Sequence, residues 1–380
     1  MVPVLAKAEA GIAVFMGLTP TRPAGDLAAV YMQSIHLQGY PCLKLPTGGY
    51  NSGRAFVKRS TTGTPLPTYA VRCHRDGHAT ILLNGEESMG LPQPPGTDLE
   101  DCRLIETKHG TYAAYTEGHY GKIPFLAIQR LALLDKNLKF KRDIPLQHGD
   151  NGKKPEKNWQ FFEHKGELHF VYSIAPVHIV AGVHSHRISA HTNNIHWPYG
   201  HMAGGTPPVR DGDHHVSFFH SFIVDKRHHR RYFAAAYRFN DHFEVTDVTP
   251  PLLVGSEDDP LNKPHPKGLN WAPLVVFPMA AALQGDTWSV IAGVNDVYDV
   301  NILIDKSELK WEPISNWTPQ RLTHWKTTVP NSPFAKWERL GHTLGRLATN
   351  SPTTLAELYS SHHAQQISKA DFDSLRPQRV

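Results

Sequence analysis

The sequence predicts an all-β chain folded as one closed array of short antiparallel units. Three observations carry that prediction. The 380 residues include 29 Gly and 30 Pro, turn punctuation too dense for long helices and suited to many short strands. Hydrophobic residues make up 40% and charged residues 19%, enough to build a substantial core and incompatible with a disordered chain. Third, one pattern recurs: a Gly turn, then an alternating apolar and aromatic strand that ends in a small or polar residue. The recurrences are spaced by a few tens of residues, close to the size of a four-stranded propeller blade. Such units bury a face only when neighbours stack, so they should close into a single domain.

Taken along the chain, residues 1–44 show no clean period and read as an irregular N-terminal extension. The weakest copy of the repeat is TYAVRCHRDGHATILLNG at 68–85. The clear copies are HGTYAAYTEG at 109–118, KGELHFVYSI at 165–174, DGDHHVSFFHS at 211–221 and QGDTWSVIAGVND at 284–296. HGDNGKKPEKN at 148–158 is polar and punctuated by Gly and Pro, and reads as a loop. The repeat-bearing domain spans 45–325. A C-terminal extension follows at 326–380, in which LAELYSSHHAQQISKADFDSLR has helical spacing after a Ser-Pro-Thr-Thr start. An exposed helix there is compatible with an oligomer.

Composition excludes several classes. With 39 Lys+Arg against 35 Asp+Glu, the net charge of +4 is too small and too dispersed to indicate nucleic acid. Three cysteines without a CxxC pair make neither a disulfide framework nor a zinc ribbon. No run of 18 apolar residues spans a membrane, and Lys7 and Glu9 break the most apolar N-terminal stretch. A cytoplasmic location is the expectation.

Four stretches carry candidate chemistry. Glu100-Asp101-Cys102-Arg103 leads into a strand, setting carboxylates and a guanidinium at one rim, the parts for general acid work on a sugar. The bland alternative is a surface Asp–Arg turn. Lys157-Asn158-Trp159 offers contacts to hydroxyls or phosphate beside an apolar platform, or else a solvated lysine next to a core tryptophan. Gly204-Gly205-Thr206-Pro207-Pro208 allows close backbone approach, and His220 ends the aromatic strand that follows. Tyr237-Arg238 closes the small-residue run YFAAAYRF.

In this order, with Tyr50-Asn51-Ser52-Gly53 before them and Val-Val-Phe-Pro at 275–278 after them, these stretches resemble a known family. They are similar to the five-bladed β-propeller enzymes of the mannoside phosphorylase group, glycoside hydrolase family 130. The chain looks closer still to the dual-activity mannosyltransferase/phosphorylases of glycosyltransferase family 108. The resemblance implies a five-bladed β-propeller in which Asp101 is the catalytic acid. It implies that Asn51, Arg72, Arg103, Asn158 and Trp159 bind sugar, and that Lys157, His220 and Tyr237 collect phosphate contacts. Cys102 stands where the phosphorylases often carry Pro. The implied reaction is an inverting mannosyl transfer from the end of a β-1,2-mannan to phosphate, giving α-mannose 1-phosphate. GDP-mannose is the alternative co-substrate. No cofactor or metal is expected, since a cationic cluster can carry the leaving-group charge.

Rival readings rest on weaker signals. Asp211-Gly212-Asp213 has the spelling of a metal-binding transferase motif, but Asp-Gly is also the ordinary hairpin turn. The 25 histidines include adjacent pairs such as His214-His215, yet no HExxH or Cys/His spacing occurs. Adjacent residues on a strand also point to opposite faces. A hydrolase needs a second carboxylate, for which Glu156 and Glu244 are the candidates. A glycan-binding propeller without catalysis is the last alternative.

Overall fold

The computed structural model describes residues 33–37, 40–44, 55–58, 68–73, 79–83, 86–119, 126–146, 155–224, 230–254, 275–294 and 298–318, with backbone alone up to residue 89 and at 223–224, 230–231, 254 and 298–299. The chain is all-β. Among the described residues its helical content is two 3₁₀ turns, Lys306–Glu308 and Ile314–Asn316. No described helix is long and apolar enough to cross a membrane.

The strands fall into five antiparallel sheets, and four of them begin with a simple up-and-down meander. The chain opens on the hairpin β1 (Gln33–Leu37) and β2 (Tyr40–Lys44). The first meander is β3 (Ala55–Lys58), β4 (Thr68–Cys73), β5 (Ala79–Leu83) and β6 (Glu86–Gly90). The second is β7 (Asp98–Thr107), β8 (Gly110–His119), β9 (Leu126–Leu134) and β10 (Phe140–Asp143). The third is β11 (Gln160–His164), β12 (Glu167–Ser173), β13 (Val177–Gly182) and β14 (Ile188–Thr192). In the fourth sheet β15 (Ala203–Gly204) and β16 (Val209–Asp211) both pair with β17 (His214–Val224). Next to β17 comes β18 (Arg230–Phe239), which pairs with both β19 (Val245–Val248) and β20 (Leu253–Val254). The fifth holds β21 (Val276–Gln284), β22 (Thr287–Val294) and β23 (Tyr298–Asp305), while β24 (Glu312–Pro313) returns to β19.

The N-terminal hairpin corrects the expectation of an irregular extension over 1–44. β2 pairs with β23 through Cys42–Ile302, Leu43–Asn301 and Lys44–Val300, so the fifth sheet is built from both ends of the described chain. The physical reason is that β23 would otherwise present an open edge. Strands of five residues with a proline are too short to display a period. The expected C-terminal helix lies outside the described residues.

First strands meet at the centre: β3 contacts β7, β7 contacts β11, and β21 contacts both β3 and β7. The fourth sheet meets the third through β15 against β12, and the fifth through β16, β17 and β18 against β21. The arrangement is propeller-like. Every copy of the sequence repeat falls on the second strand of a sheet: β4 with β5, then β8, β12, β17 and β22. Burial explains the pattern. On β8, Tyr112 and Ala114 face the core shared with the third sheet. Ala113 and Tyr115 face the opposite core with Leu104 and Ile291. Likewise Val216 and Phe218 of β17 pack toward the fifth sheet, and Phe219 toward the third. A strand sandwiched between neighbouring sheets must be apolar on both faces.

Candidate active site

Asp101 sits on β7 where the register against β8 breaks between Glu100 and Arg103. Its φ of 52° is left-handed, a region that Asp tolerates better than most residues. A bulge of this kind re-aims a side chain at the end of a strand. Cys102 anchors it from behind: its thiol is fully buried among Leu99, Leu104 and Ala113. Asp101 itself stays partly exposed.

Arg103 crosses the centre from the second sheet. It is 1% exposed, and its Nε donates to the carbonyl of Gly205 at 2.6 Å while Nη1 donates to the carbonyl of Asp101 at 2.7 Å. The guanidinium lies 5.8 Å from the centroid of Phe277, at the start of β21. One side chain thus ties the bulge to the fourth sheet and covers the fifth.

The glycine pair is there because the backbones converge. A Cβ on Gly204 would stand 2.1 Å from the Asn158 carbonyl, and one on Gly205 would stand 2.4 Å from the Phe218 carbonyl and 3.0 Å from that of Pro278. Asn158 has φ 64°, and its Oδ1 is buried with no hydrogen-bond partner among the described residues. Lys157 beside it is exposed.

His220 completes the group. Its ring centroid lies 4.1 Å from that of Phe277, and its buried Nδ1 has no hydrogen-bond partner among the described residues. Burial holds its pKa well below the usual histidine range, and the positive charges of Arg103 and Lys157 push the same way; a hydrogen bond to the Gly204 carbonyl only partly opposes them. His220 is therefore neutral at physiological pH, and the positive charge here belongs to Arg103 and Lys157. As an anion contact it offers a neutral ring.

Asp101, Arg103, Lys157, Asn158 and His220 come together where the second, third, fourth and fifth sheets meet. Two expected residues do not join them. Trp159 is 1% exposed and stacks on Phe170 at 4.5 Å, with Nε1 donating to Glu156 at 3.3 Å; it is a core residue, not a sugar platform. Tyr237 is fully buried, and its hydroxyl donates to Gln160 Oε1 at 2.8 Å. Gln160 in turn donates to the Thr206 carbonyl at 2.9 Å, so the tyrosine braces the Gly-Gly segment and does not collect phosphate. Arg72 lies on β4 opposite Thr80, and Asn51 lies outside the described residues. Sequence reasoning missed Phe277 and His201. The first sat inside the Val-Val-Phe-Pro stretch, and the second only three residues before the glycine pair.

The other sequence signals settle into the fold. Asp211 pairs with His214 around Gly212 at φ 58°, so the Asp-Gly-Asp stretch is a hairpin turn, with Asp211 accepting from Lys306 Nζ at 2.7 Å. Glu156 is buried and accepts from Trp159 and Tyr172, the latter at 3.1 Å. Glu244 is exposed in the turn after β18, accepting from Asn240 at 2.9 Å.

No family model matches the chain, and no curated protein matches it. Solved structures do. The chain is similar to β-1,2-mannobiose phosphorylase from Listeria innocua, with 15% identity, 74% of this chain and 90% of that one covered, and a TM-score of 0.42. It is similar to MPT-4, a mannose phosphorylase from Leishmania mexicana in complex with phosphate, with 14% identity, 74% and 92% covered, and a TM-score of 0.47. An exo-1,5-α-L-arabinanase from a bovine ruminal metagenomic library matches at 11% identity over 67% of this chain and 92% of that one, TM-score 0.43.

Proposed function

We propose that the five sheets are the blades of a five-bladed β-propeller and that the chain is a carbohydrate-active enzyme. Its reaction is an inverting mannosyl transfer between the end of a β-1,2-mannan and phosphate, giving α-mannose 1-phosphate, with GDP-mannose as the second donor. The observation that carries this reading is the bulge in β7, which holds Asp101 in a left-handed conformation beside a buried arginine at the centre of the ring.

In phosphorolysis a phosphate oxygen bonds to the anomeric carbon as the bond from that carbon to the glycosidic oxygen breaks. The departing oxygen takes its proton from Asp101, directly or through a sugar hydroxyl. Phosphate is already a nucleophile, so one carboxyl group suffices. Arg103, fixed by two carbonyls, supplies a positive charge that need not reorganise as the anion arrives. Lys157 supplies a mobile one. Neutral His220 can accept a hydrogen bond at Nδ1, and the buried Asn158 Oδ1 can accept another from a sugar hydroxyl. A hydrolase is the poorer reading, because both candidate second carboxylates are engaged elsewhere.

The test is product analysis of purified protein with β-1,2-mannobiose and phosphate, with GDP-mannose, and without either. Mannose 1-phosphate formed only with phosphate, and lost in Asp101→Asn, supports phosphorolysis. Free mannose without phosphate overturns it in favour of hydrolysis, and chain extension from GDP-mannose assigns the transferase activity.

A further inference from the structure

The histidine-rich composition has a second consequence, away from Asp101. His164 at the end of β11, His215 near the start of β17 and Asp241 in the turn after β18 bring one ligand atom each to within 4.8 Å of one another. They come from the third and fourth sheets. His215 is 3% exposed, and its Nδ1 is buried without a hydrogen-bond partner among the described residues. The His164 ring lies 5.3 Å from that of His215, and its Nδ1 is 3.9 Å from Asp241 Oδ1. Aromatic rings hold both imidazoles in place: Phe239 stacks on His215 at 5.1 Å, and Phe243 meets His164 at 4.9 Å.

We propose that His164, His215 and Asp241 form a binding site for a divalent first-row metal of the zinc class. Two imidazoles and one carboxylate are the donor set such ions prefer, with the fourth position open to water. Bonds of about 2.0–2.1 Å set tetrahedral ligands roughly 3.3 Å apart, so ligand atoms spread over as much as 4.8 Å must close by up to about 1.5 Å. Asp241 can approach the two imidazoles, since it lies in a turn and its side chain is 37% exposed. Arg210 now pairs with Asp241 Oδ1. It is the cation that an incoming metal displaces from this carboxylate.

The site is remote from the sugar site. His215 and His220 share β17 five residues apart, which is about 17 Å of strand at roughly 3.3 Å per residue. Its ligands link the third and fourth sheets, so the metal acts as a staple between them.

Untagged protein stripped with chelator would be titrated with Zn²⁺ by calorimetry and with Co²⁺ by visible absorption, alongside thermal unfolding. One equivalent should bind, with Co²⁺ showing ligand-field bands and Zn²⁺ raising the melting temperature. Asp241→Asn and His215→Ala should each weaken binding at least ~10-fold and abolish the thermal shift. Arg210→Gln should tighten binding, because it removes the competing cation. Asp241 and Arg210 are solvent-facing, so those variants test the site even if His215→Ala fails to fold. Absence of a stoichiometric complex, or binding unchanged in Asp241→Asn and Arg210→Gln, overturns the proposal.

Discussion

Arg103 is a structural tie and, in the proposed reaction, the fixed charge of the site, and these two duties can be separated. Lysine keeps the charge but lacks the planar fork needed to reach the carbonyls of Gly205 and Asp101 together. Arg103→Lys is expected to cost about 1.5–3 kcal/mol in urea unfolding, since charged hydrogen bonds contribute roughly that much each and one of the two survives. Turnover should fall about 100-fold or more with the bulge no longer braced. Trp159 makes the opposite case. Trp159→Ala should destabilise by ~3–5 kcal/mol through the cavity it leaves against Phe170, whereas Trp159→Phe should fold and keep its KM in the proposed reaction. A sugar platform would instead show a raised KM in Trp159→Phe with stability unchanged.

At the scale of the element, the bulge in β7 decides which substitution of Asp101 is informative. Asparagine tolerates φ near 52° as aspartate does, so Asp101→Asn should unfold within ~0.5 kcal/mol of the parent while kcat of the proposed reaction falls by about 100- to 10,000-fold. Valine at the same place adds β-branched strain, and a loss of stability from Asp101→Val would report the backbone and not the chemistry. How far the elements were legible follows from what each must bury. The second strand of each sheet stood out because Tyr112 and Phe218 alternate with residues that face the opposite core. Two of the first strands did not stand out because they are short: β15 has two residues and β11 five. Glu100-Asp101-x-Arg103 and the glycine pair were visible as motifs, but nothing local told a buried Trp159 from an open one, or a braced Tyr237 from a ligand. Those distinctions depend on Phe170 and Gln160, which no spacing brings next to them. The three groups at the end of β11, the start of β17 and the turn after β18 were invisible for the same reason: adjacent-pair spacing says nothing about residues joined across sheets.

Packing between sheets holds the described part of the molecule together, and that makes buried histidines sensitive to pH. His178 is fully buried between β12 and β14, with Nδ1 donating to the Phe243 carbonyl at 2.8 Å and Nε2 buried without a partner among the described residues. Protonation would place an N–H where nothing accepts it. Desolvation accordingly pushes its pKa down to about 4, the Phe243 carbonyl opposes that shift, and the nearby His191 adds to it. Above about pH 6.5 the ring is neutral in both the folded and unfolded chain and stability does not depend on it. Below that, the unfolded chain binds the proton and the folded one refuses it, so stability falls as the pH drops from 6.5 toward 4 and levels off beneath. The contribution is about 2 kcal/mol at pH 5 and roughly 3 kcal/mol at the end of the window, at ~1.4 kcal/mol per unit. His220 acts in the same direction. Urea unfolding at pH 7.5 and pH 5.0 checks it: the parent should lose stability between the two, and His178→Gln should lose about 2 kcal/mol less over the same interval. An equal loss in the variant would mean that acid sensitivity arises at other groups, and that the packing between the third and fourth sheets tolerates a charge at this position.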